Sequence, residues 1–403
     1  MTPTTFGLDE PAPPQALRSA VAVGNFDGVH RGHHRLLAAL RHEARRIGVP
    51  AVVLCLYPHP TSLLRPESAP PTLLWPERRA SLLLAGGADA VVFLNTTRDL
   101  LSLTAEEFFD RLLLKALHVR ALVEGENFRF GRGRKGDVEL LRGLCRDAGV
   151  EMNVVRLAGG DGAAVSSTRI REAVAAGDVE LAADLAGRNH RIRGRIGMGA
   201  QRGRTIGFPT ANLENVLGLP PAAGVYVVRA HLDDGRIFGG ACNVGANPTF
   251  AELGAKIETH LLDFNGDLYG QALEIEFLCR LRPVKAFASV EELKSQIHAD
   301  IDAARRAFAQ MPPEPIMPEL AATIAEWVRW QARAALEPIS AGLESASFTE
   351  PGVCRLDWRF DGPAPPHVAY DFLFGLEERL RSVFPEVEHV VSSTPEREPG
   401  PVR

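Results

Sequence analysis

One stretch constrains the first half of the chain more than any other: Gly24-Asn-Phe-Asp-Gly-Val-His-Arg-Gly-His-His34. Ala20–Val23 just upstream reads as a short buried strand, and Leu36, Leu37, Leu40 and Ile47 downstream recur at helical spacing. A glycine-rich turn therefore joins a strand end to a helix start, where exposed backbone N–H groups and the helix dipole favour phosphate. His30 and His33 form a His-x-Gly-His pattern, and two imidazoles three residues apart at a helix start point the same way. Gly32 between them leaves room for a ligand to approach the backbone. The bland alternative is that the histidines only cap and solvate the helix end.

From about residue 18 to Gly187 short apolar runs alternate with helical patterns. Strands are expected at Ala20–Val23, Ala51–Tyr57, Ala90–Leu94, Ala121–Glu124 and Met152–Leu157, with helices at 33–47, 76–85, 104–117 and 137–148. Thr104 and Glu107 make a capping box for the third helix. Such alternation implies a mostly parallel, doubly wound Rossmann-like sheet with ligands at the strands' C-terminal ends. Residues 1–17, rich in proline, read as a loose lead-in.

Three further pieces of this half carry polar chemistry. Tyr57-Pro58-His59-Pro60 is a rigid exit from the second strand, and alone it is no more than a stiff loop. After Glu124-Gly-Glu-Asn127-Phe-Arg-Phe-Gly131 comes a match to GxGxxG at Gly131, Gly133 and Gly136. Arg132, Arg134 and Lys135 argue for a flexible basic loop instead of a dinucleotide turn, one that lies over a polyphosphate or is simply solvated. In Ser166-Ser167-Thr168-Arg169-Ile170-Arg171 the hydroxyls suit a helix N-cap. The two arginines oppose the dipole there unless an anion is bound.

Beyond His190 the helical alternation stops. Strand-like runs at Arg191–Ile196, Val225–Leu232, Ile237–Val244, Lys256–Phe264 and Ala272–Leu281, then a helix from Ser289 to about Phe308, mark a small antiparallel barrel over 188–309. Gly203, Arg204 and Gly207 sit in a stretch able to cradle phosphate. Thr210 and Asn212 are alternate residues facing one side, hard oxygen donors suited to Mg²⁺ held mainly by nucleotide phosphate. Glu258 and His260 share one face of their strand, and Ile257, Thr259 and Leu261 share the other. A carboxylate on the inner face of a barrel is unusual without a task; general base is the obvious one, and a solvent-facing carboxylate is the alternative.

Composition narrows the function classes. A chain of 403 residues with 45% hydrophobic and 24% charged residues suits an ordinary globular protein of two or three domains. Its net charge of −5 gives no general attraction to nucleic acid or anionic membrane. The five cysteines are scattered, with no metal-type spacing, which suits reduced thiols in a cytoplasmic setting. The N-terminus lacks a signal-peptide pattern, and no apolar run approaches 18 residues. Nothing in the sequence fixes an oligomeric state.

GNFDGVHRGHH, YPHP, EGENFRFG and SSTRIR, followed by GRTIGFPTANL, GVYVV, NVGANPTF, IETHLLDFNGDLYG and LRPVKAFAS, resemble in content and order the bacterial bifunctional riboflavin kinase/FMN adenylyltransferase (FAD synthetase) family over roughly 18–309. The resemblance implies two activities. An adenylyltransferase domain at 18–187 converts ATP and FMN to FAD and pyrophosphate, and a kinase domain at 188–309 converts ATP and riboflavin to FMN and ADP. It implies that Gly24, Asn25, Phe26, His30 and His33 bind ATP, the histidines steadying charge on the α-phosphoryl group. Ser167, Thr168 and Arg171 would hold the triphosphate; Pro58, Pro60 and Asn127 would fall by the flavin. In the kinase half Gly203, Arg204 and Gly207 would bind ATP, Thr210 and Asn212 would place Mg²⁺–ATP, and Glu258 would deprotonate the riboflavin hydroxyl. Asn127 stands where the family often has aspartate, and the 186–190 linker reads AGRNH; neither removes a catalytic group. The expected partners are thus riboflavin, FMN, FAD and ATP, with no nucleic acid and no membrane.

Residues 310–403 lie outside the resemblance. Met311–Pro318 reads as a stiff linker. Leu320, Ile324, Trp327 and Val328 form an amphipathic stripe suited to packing. A strand at Val353–Phe360, a helix at 367–383 and a strand at Val387–Val391 suggest a small α+β extension of unassigned function.

Overall fold

The computed structural model describes residues 3–156, 165–199, 207–247, 252–310, 318–336, 341–360 and 376–393. The chain divides into two compact units, one made of 1–70, 76–164 and 314–403, the other of 71–75 and 165–313.

The first unit is built on a six-stranded, all-parallel sheet: β1 (Thr4–Phe6), β2 (Ala20–Gly24), β3 (Ala51–Tyr57), β4 (Ala90–Asn95), β5 (Ala121–Gly125) and β6 (Glu151–Val155). Helices α1 (Arg31–Ile47), α2 (Pro76–Ala85) and α3 (Val138–Ala148) run between the strands, and a π-helical segment, Phe108–Ala116, follows the turn that Thr104 caps. The strand order is β1-β4-β3-β2-β5-β6. Succession runs one way from β2 to β4 and the other way from β5 to β6, so β2 and β5 flank the switch point, where an α/β sheet opens a crevice at its carboxyl edge. Buried runs of Val, Leu and Ala make the strands apolar on both faces, as a covered parallel sheet requires.

Two expectations are corrected here. The 1–17 segment is no loose lead-in, because Thr4–Phe6 pairs with Val92–Leu94 and Phe6 is buried in the core. Three β-favouring residues suffice for an edge strand beside an apolar neighbour. The GRGRKGD stretch is no flexible loop either. Arg132–Arg134 forms a 3-10 turn, Phe130 bridges Gly136, and a Cβ on Gly131 would stand 2.6 Å from the Ala105 backbone nitrogen. Close packing fixes Gly131 and Gly136, whereas Gly133 is exposed and set by its φ of +65°.

In the second unit, β7 (His190–Gly197), β8 (Ala211–Leu217), β9 (Gly224–Leu232), β10 (Ile237–Asn247), β11 (Glu252–Leu261) and β12 (Ala272–Arg282) close an antiparallel barrel in the order β10-β11-β8-β7-β12-β9. Ile192, Tyr226, Val228, Ile257, Ile275 and Phe277 fill it. Helices α4 (Ser167–Ala176) and α5 (Val179–Ala186) belong to this unit, with Val179 inside the barrel's core. The expected boundary at 187–188 therefore falls inside one unit, since apolar contact rather than the change of periodicity defines it. The helix α6 (Val290–Ala309) begins at the Ser289 cap, and its Phe308 occupies the space that a Cβ on Gly239 would need.

The extension joins the first unit. Its helix α7 (Pro318–Leu336) buries Leu320, Ile324, Trp327 and Val328, the expected stripe, against strands β13 (Ala341–Glu350), β14 (Val353–Phe360) and β15 (His389–Ser393) and residues 376–384. Of the linker expected at Met311–Pro318, Pro318 opens α7 and residues 311–317 lie outside the described residues.

Candidate active sites

The first site starts where the β2–β5 ladder stops. These strands pair only through Ala20–Ala121 and Val21–Leu122. One step further the Val23 N–H is taken by a side chain, donating to Glu124 Oε1 at 2.7 Å. Glu124 is 2% exposed, and its burial pushes the carboxyl well above its ordinary value of 4.5, opposed by that hydrogen bond. A carboxyl thus replaces the missing strand partner at the mouth of the crevice.

The Gly24–His34 turn leaves this point in an unusual conformation. Phe26 has φ +48°, Gly28 +92° and Val29 +38°, and for a β-branched residue such a φ is an outlier of the kind found at binding sites. Arg79 of α2 holds the turn by donating to the Asn25 carbonyl (2.9 Å) and pairing with Asp27 (3.2 Å), both side chains buried. The Asn25 amide meets His59 Nε2 at 3.1 Å, while His59 Nδ1 accepts from Thr61 N. His30 and His33 stack with ring centres 3.8 Å apart and planes 18° apart, as their spacing predicts, and Phe26 lies 5.1 Å from His33. Because His33 Nδ1 accepts from the His30 N–H (3.2 Å), the neutral ring carries its proton on Nε2, a donor suited to an anion. The loops after β3 and β5 bring Pro58 and Pro60 and the exposed Asn127 to the same carboxyl edge of the sheet as this turn.

Motifs contain Asp27 and Glu124 without showing that they hold the turn, and Arg79 lies outside every motif. The signal available was a charge among the core-facing positions of an amphipathic helix: Arg79 is buried in line with Ala80, Leu82 and Leu83.

Ser167, Thr168 and Arg171 lie in the second unit, within the first five residues of α4. Ser166 supplies the cap, its Oγ accepting from Arg169 N, and Arg171 Nε donates to the Pro71 carbonyl at 2.8 Å.

In the barrel, the register sets Asn212 of β8 opposite Glu258 of β11, and Glu258 opposite Asn243 of β10. Directly opposed residues share a face with Cβ atoms about 5 Å apart, so these three form one polar row. That row is on the outside. Ile257, Thr259 and Leu261 are buried within the barrel, and Glu258 and His260 are half-buried on its other face, contrary to the inner position expected for Glu258. Period two assigns parity, and the apolar residues took the interior. Asn212 donates to the Thr210 carbonyl (3.3 Å), and His260 Nδ1 meets the Pro209 carbonyl (2.9 Å), tying the Thr210 segment to this face. Thr210 also lines a cavity of about 260 Å³ with Met198, Phe264, Asp267 and Tyr269. Gly207 has φ +94°, a glycine conformation; Gly203 and Arg204 lie outside the described residues.

No group of three or more His, Cys, Asp or Glu residues among the described ones is arranged to hold a metal. The thiols of Cys55, Cys145, Cys242 and Cys354 are pushed up to about 12 by burial, so none is a thiolate nucleophile at neutral pH.

The family model for FAD synthetase matches residues 12–169, and that for riboflavin kinase matches residues 186–308. The bifunctional riboflavin kinase/FMN adenylyltransferase of Pseudomonas fluorescens is 42% identical over 72% of this chain and 94% of its own. This chain belongs to that family. The family's Escherichia coli K12 member is 37% identical over 73% of this chain and 94% of its own. A solved Streptococcus pneumoniae structure described as a macrolide-efflux protein covers 75% of this chain and 98% of its own, with a TM-score of 0.65 and 32% identity. The parallel-sheet unit thus carries the FAD synthetase match and the barrel the riboflavin kinase match. No helix among the described residues is long and apolar enough to cross a membrane.

Proposed function

We propose that this chain makes FMN and then FAD at two separate sites, with the Gly24–His34 turn serving the second step and the Asn212–Glu258 row serving the first. The observation that carries the reading is the pairing of two family matches with two separately built polar sites in one chain.

In adenylyl transfer an oxygen of the FMN phosphate attacks the α-phosphorus of ATP, the α–β P–O bond breaks, and pyrophosphate leaves. Gly24, Asn25 and Phe26 offer backbone and amide groups to the nucleotide, and His30 and His33 donate to the oxygens that gain charge. Alignment and electrostatics supply most of the acceleration of such a step. Pro58, Pro60 and Asn127 are assigned to the flavin side, and Ser167, Thr168 and Arg171 to nucleotide phosphate.

In the kinase step Glu258 accepts the proton of the riboflavin 5′-hydroxyl as its oxygen attacks the γ-phosphorus and ADP departs. The Thr210 hydroxyl and Asn212 amide oxygen, both uncharged hard donors on alternate positions, fit Mg²⁺ whose charge is met by phosphate. Bound there, Mg²⁺ would neutralise charge on the transferring phosphoryl group. Gly203, Arg204 and Gly207 are assigned to the phosphates of this ATP. We place the enzyme in the cytoplasm, acting on small molecules and not on nucleic acid or membrane.

The test is to supply purified protein with riboflavin, ATP and Mg²⁺ and separate the products by chromatography. FMN should appear first and FAD follow. FMN accumulating without FAD would overturn the adenylyltransferase assignment, and no turnover would overturn both.

A further inference from the structure

We propose that the C-terminal extension is a brace on α1, with Thr323 and Glu319 as positioning residues that set the first helical turn and so the pose of His30 and His33. This rests on the assignment of those histidines to adenylyl transfer.

The extension meets α1 along one stripe, at His34, Arg35, Ala38, Arg41 and His42, which is the i, i+1, i+4, i+7, i+8 face of a helix. The contacts are directional as well as apolar. His34, 1% exposed, is held at both ring nitrogens: Nδ1 lies 3.0 Å from Thr323 Oγ1 and Nε2 lies 3.2 Å from Glu319 Oε2. Thr323 is itself completely buried, and its hydroxyl donates to the Glu319 carbonyl, so the acceptor offered to His34 has a fixed direction. Arg35 Nε donates to Glu326 at 2.8 Å. Further along, Arg41 donates to the Val383 carbonyl, grips both oxygens of Glu386, and lies over Phe384; Trp327 Nε1 donates to His42 Nδ1.

Apolar stripes tolerate sliding, whereas these pairs do not. A one-turn slip of α7 would take the buried His34 away from Thr323 and Glu319, and Arg35 away from Glu326, at the desolvation cost of each lost pair. The extension therefore fixes α1 both along its axis and in rotation. His34 directly follows His33, so the turn that carries the stacked imidazoles is the turn that Thr323 and Glu319 hold. Both family matches end before this extension begins.

The experiment compares full-length Thr323→Val and Thr323→Ser with the unaltered protein, measuring FAD formation from FMN and FMN formation from riboflavin in the same preparations. Val keeps the shape but removes the acceptor; Ser restores it. Thr323→Val should lower kcat for FAD formation about tenfold with KM for ATP little changed, because a mis-set group loses transition-state contact first. FMN formation should be unchanged, and Thr323→Ser should recover FAD formation to within about twofold. FAD formation at the normal rate in a folded Thr323→Val protein would overturn the brace. Should Thr323→Val lose both activities together, Glu319→Gln decides: selective loss of FAD formation supports the proposal, and any other result overturns it. A His30→Ala protein that still makes FAD would overturn the site assignment instead, so the two failures are distinguishable.

Discussion

Glu124 and Glu276 are both buried carboxyls, and their surroundings drive them in opposite directions. Burial raises Glu124 well above 4.5 with little to oppose it beyond the Val23 N–H. Its contribution to stability is full below 4.5 and declines as pH rises toward the folded-state value, because the native state holds the proton more tightly. Glu124→Gln keeps an acceptor for Val23 and cannot ionise, so this decline with rising pH should flatten in denaturant titrations across pH. Burial also works to raise Glu276, but the hydrogen bonds and charges of His231, Arg191, Asn189 and Arg229 outweigh it and bring the carboxyl to about 2. That stabilisation is present above 4.5 and is lost as pH falls from there toward 2. Glu276→Gln should remove the charge that the mostly buried Arg191 and Arg229 share, costing about 3 kcal/mol at pH 7, and should flatten the acid limb.

Among the elements, the long periodic ones were legible. Ala51–Tyr57, Pro76–Ala85 and Val353–Phe360 run as the apolar spacing predicts, because each buries a regular stripe or run. Short elements were not, since three residues such as Thr4–Phe6 carry too little pattern to outweigh the prolines that follow. At the sites, spacing showed which side chains share a face, as with His30 and His33, but not which face is inside, as with Glu258. Partners from distant segments were harder to find: Arg79 showed only as a charge on a core-facing helix position, and the pairing of Glu124 with Val23 had no local signal. The GRGRKGD glycines allow a sharp comparison at this scale. Gly131→Ala meets both a φ of +69° and the Ala105 backbone, whereas Gly133→Ala meets a φ of +65° with nothing within 4 Å. The second should cost about 1 kcal/mol, from backbone conformation alone. The first should cost clearly more, read as a lower thermal midpoint.

At the scale of the whole molecule, the chain carries two family matches and two polar centres, the Gly24–His34 turn and the Asn212–Glu258 row, with no side chain in common. Separate sites predict separable losses. With riboflavin as the starting flavin, His30→Ala should accumulate FMN and form FAD about a hundredfold more slowly, the scale expected for one lost donor to a developing anion. Glu258→Ala should leave riboflavin unconverted yet turn supplied FMN into FAD at the normal rate. The measurement that decides the account is the ratio of FAD formed from FMN to FMN formed from riboflavin in these two proteins. The ratio should fall steeply in His30→Ala and rise steeply in Glu258→Ala; an unchanged ratio, with both steps lost in proportion, would contradict two independent sites.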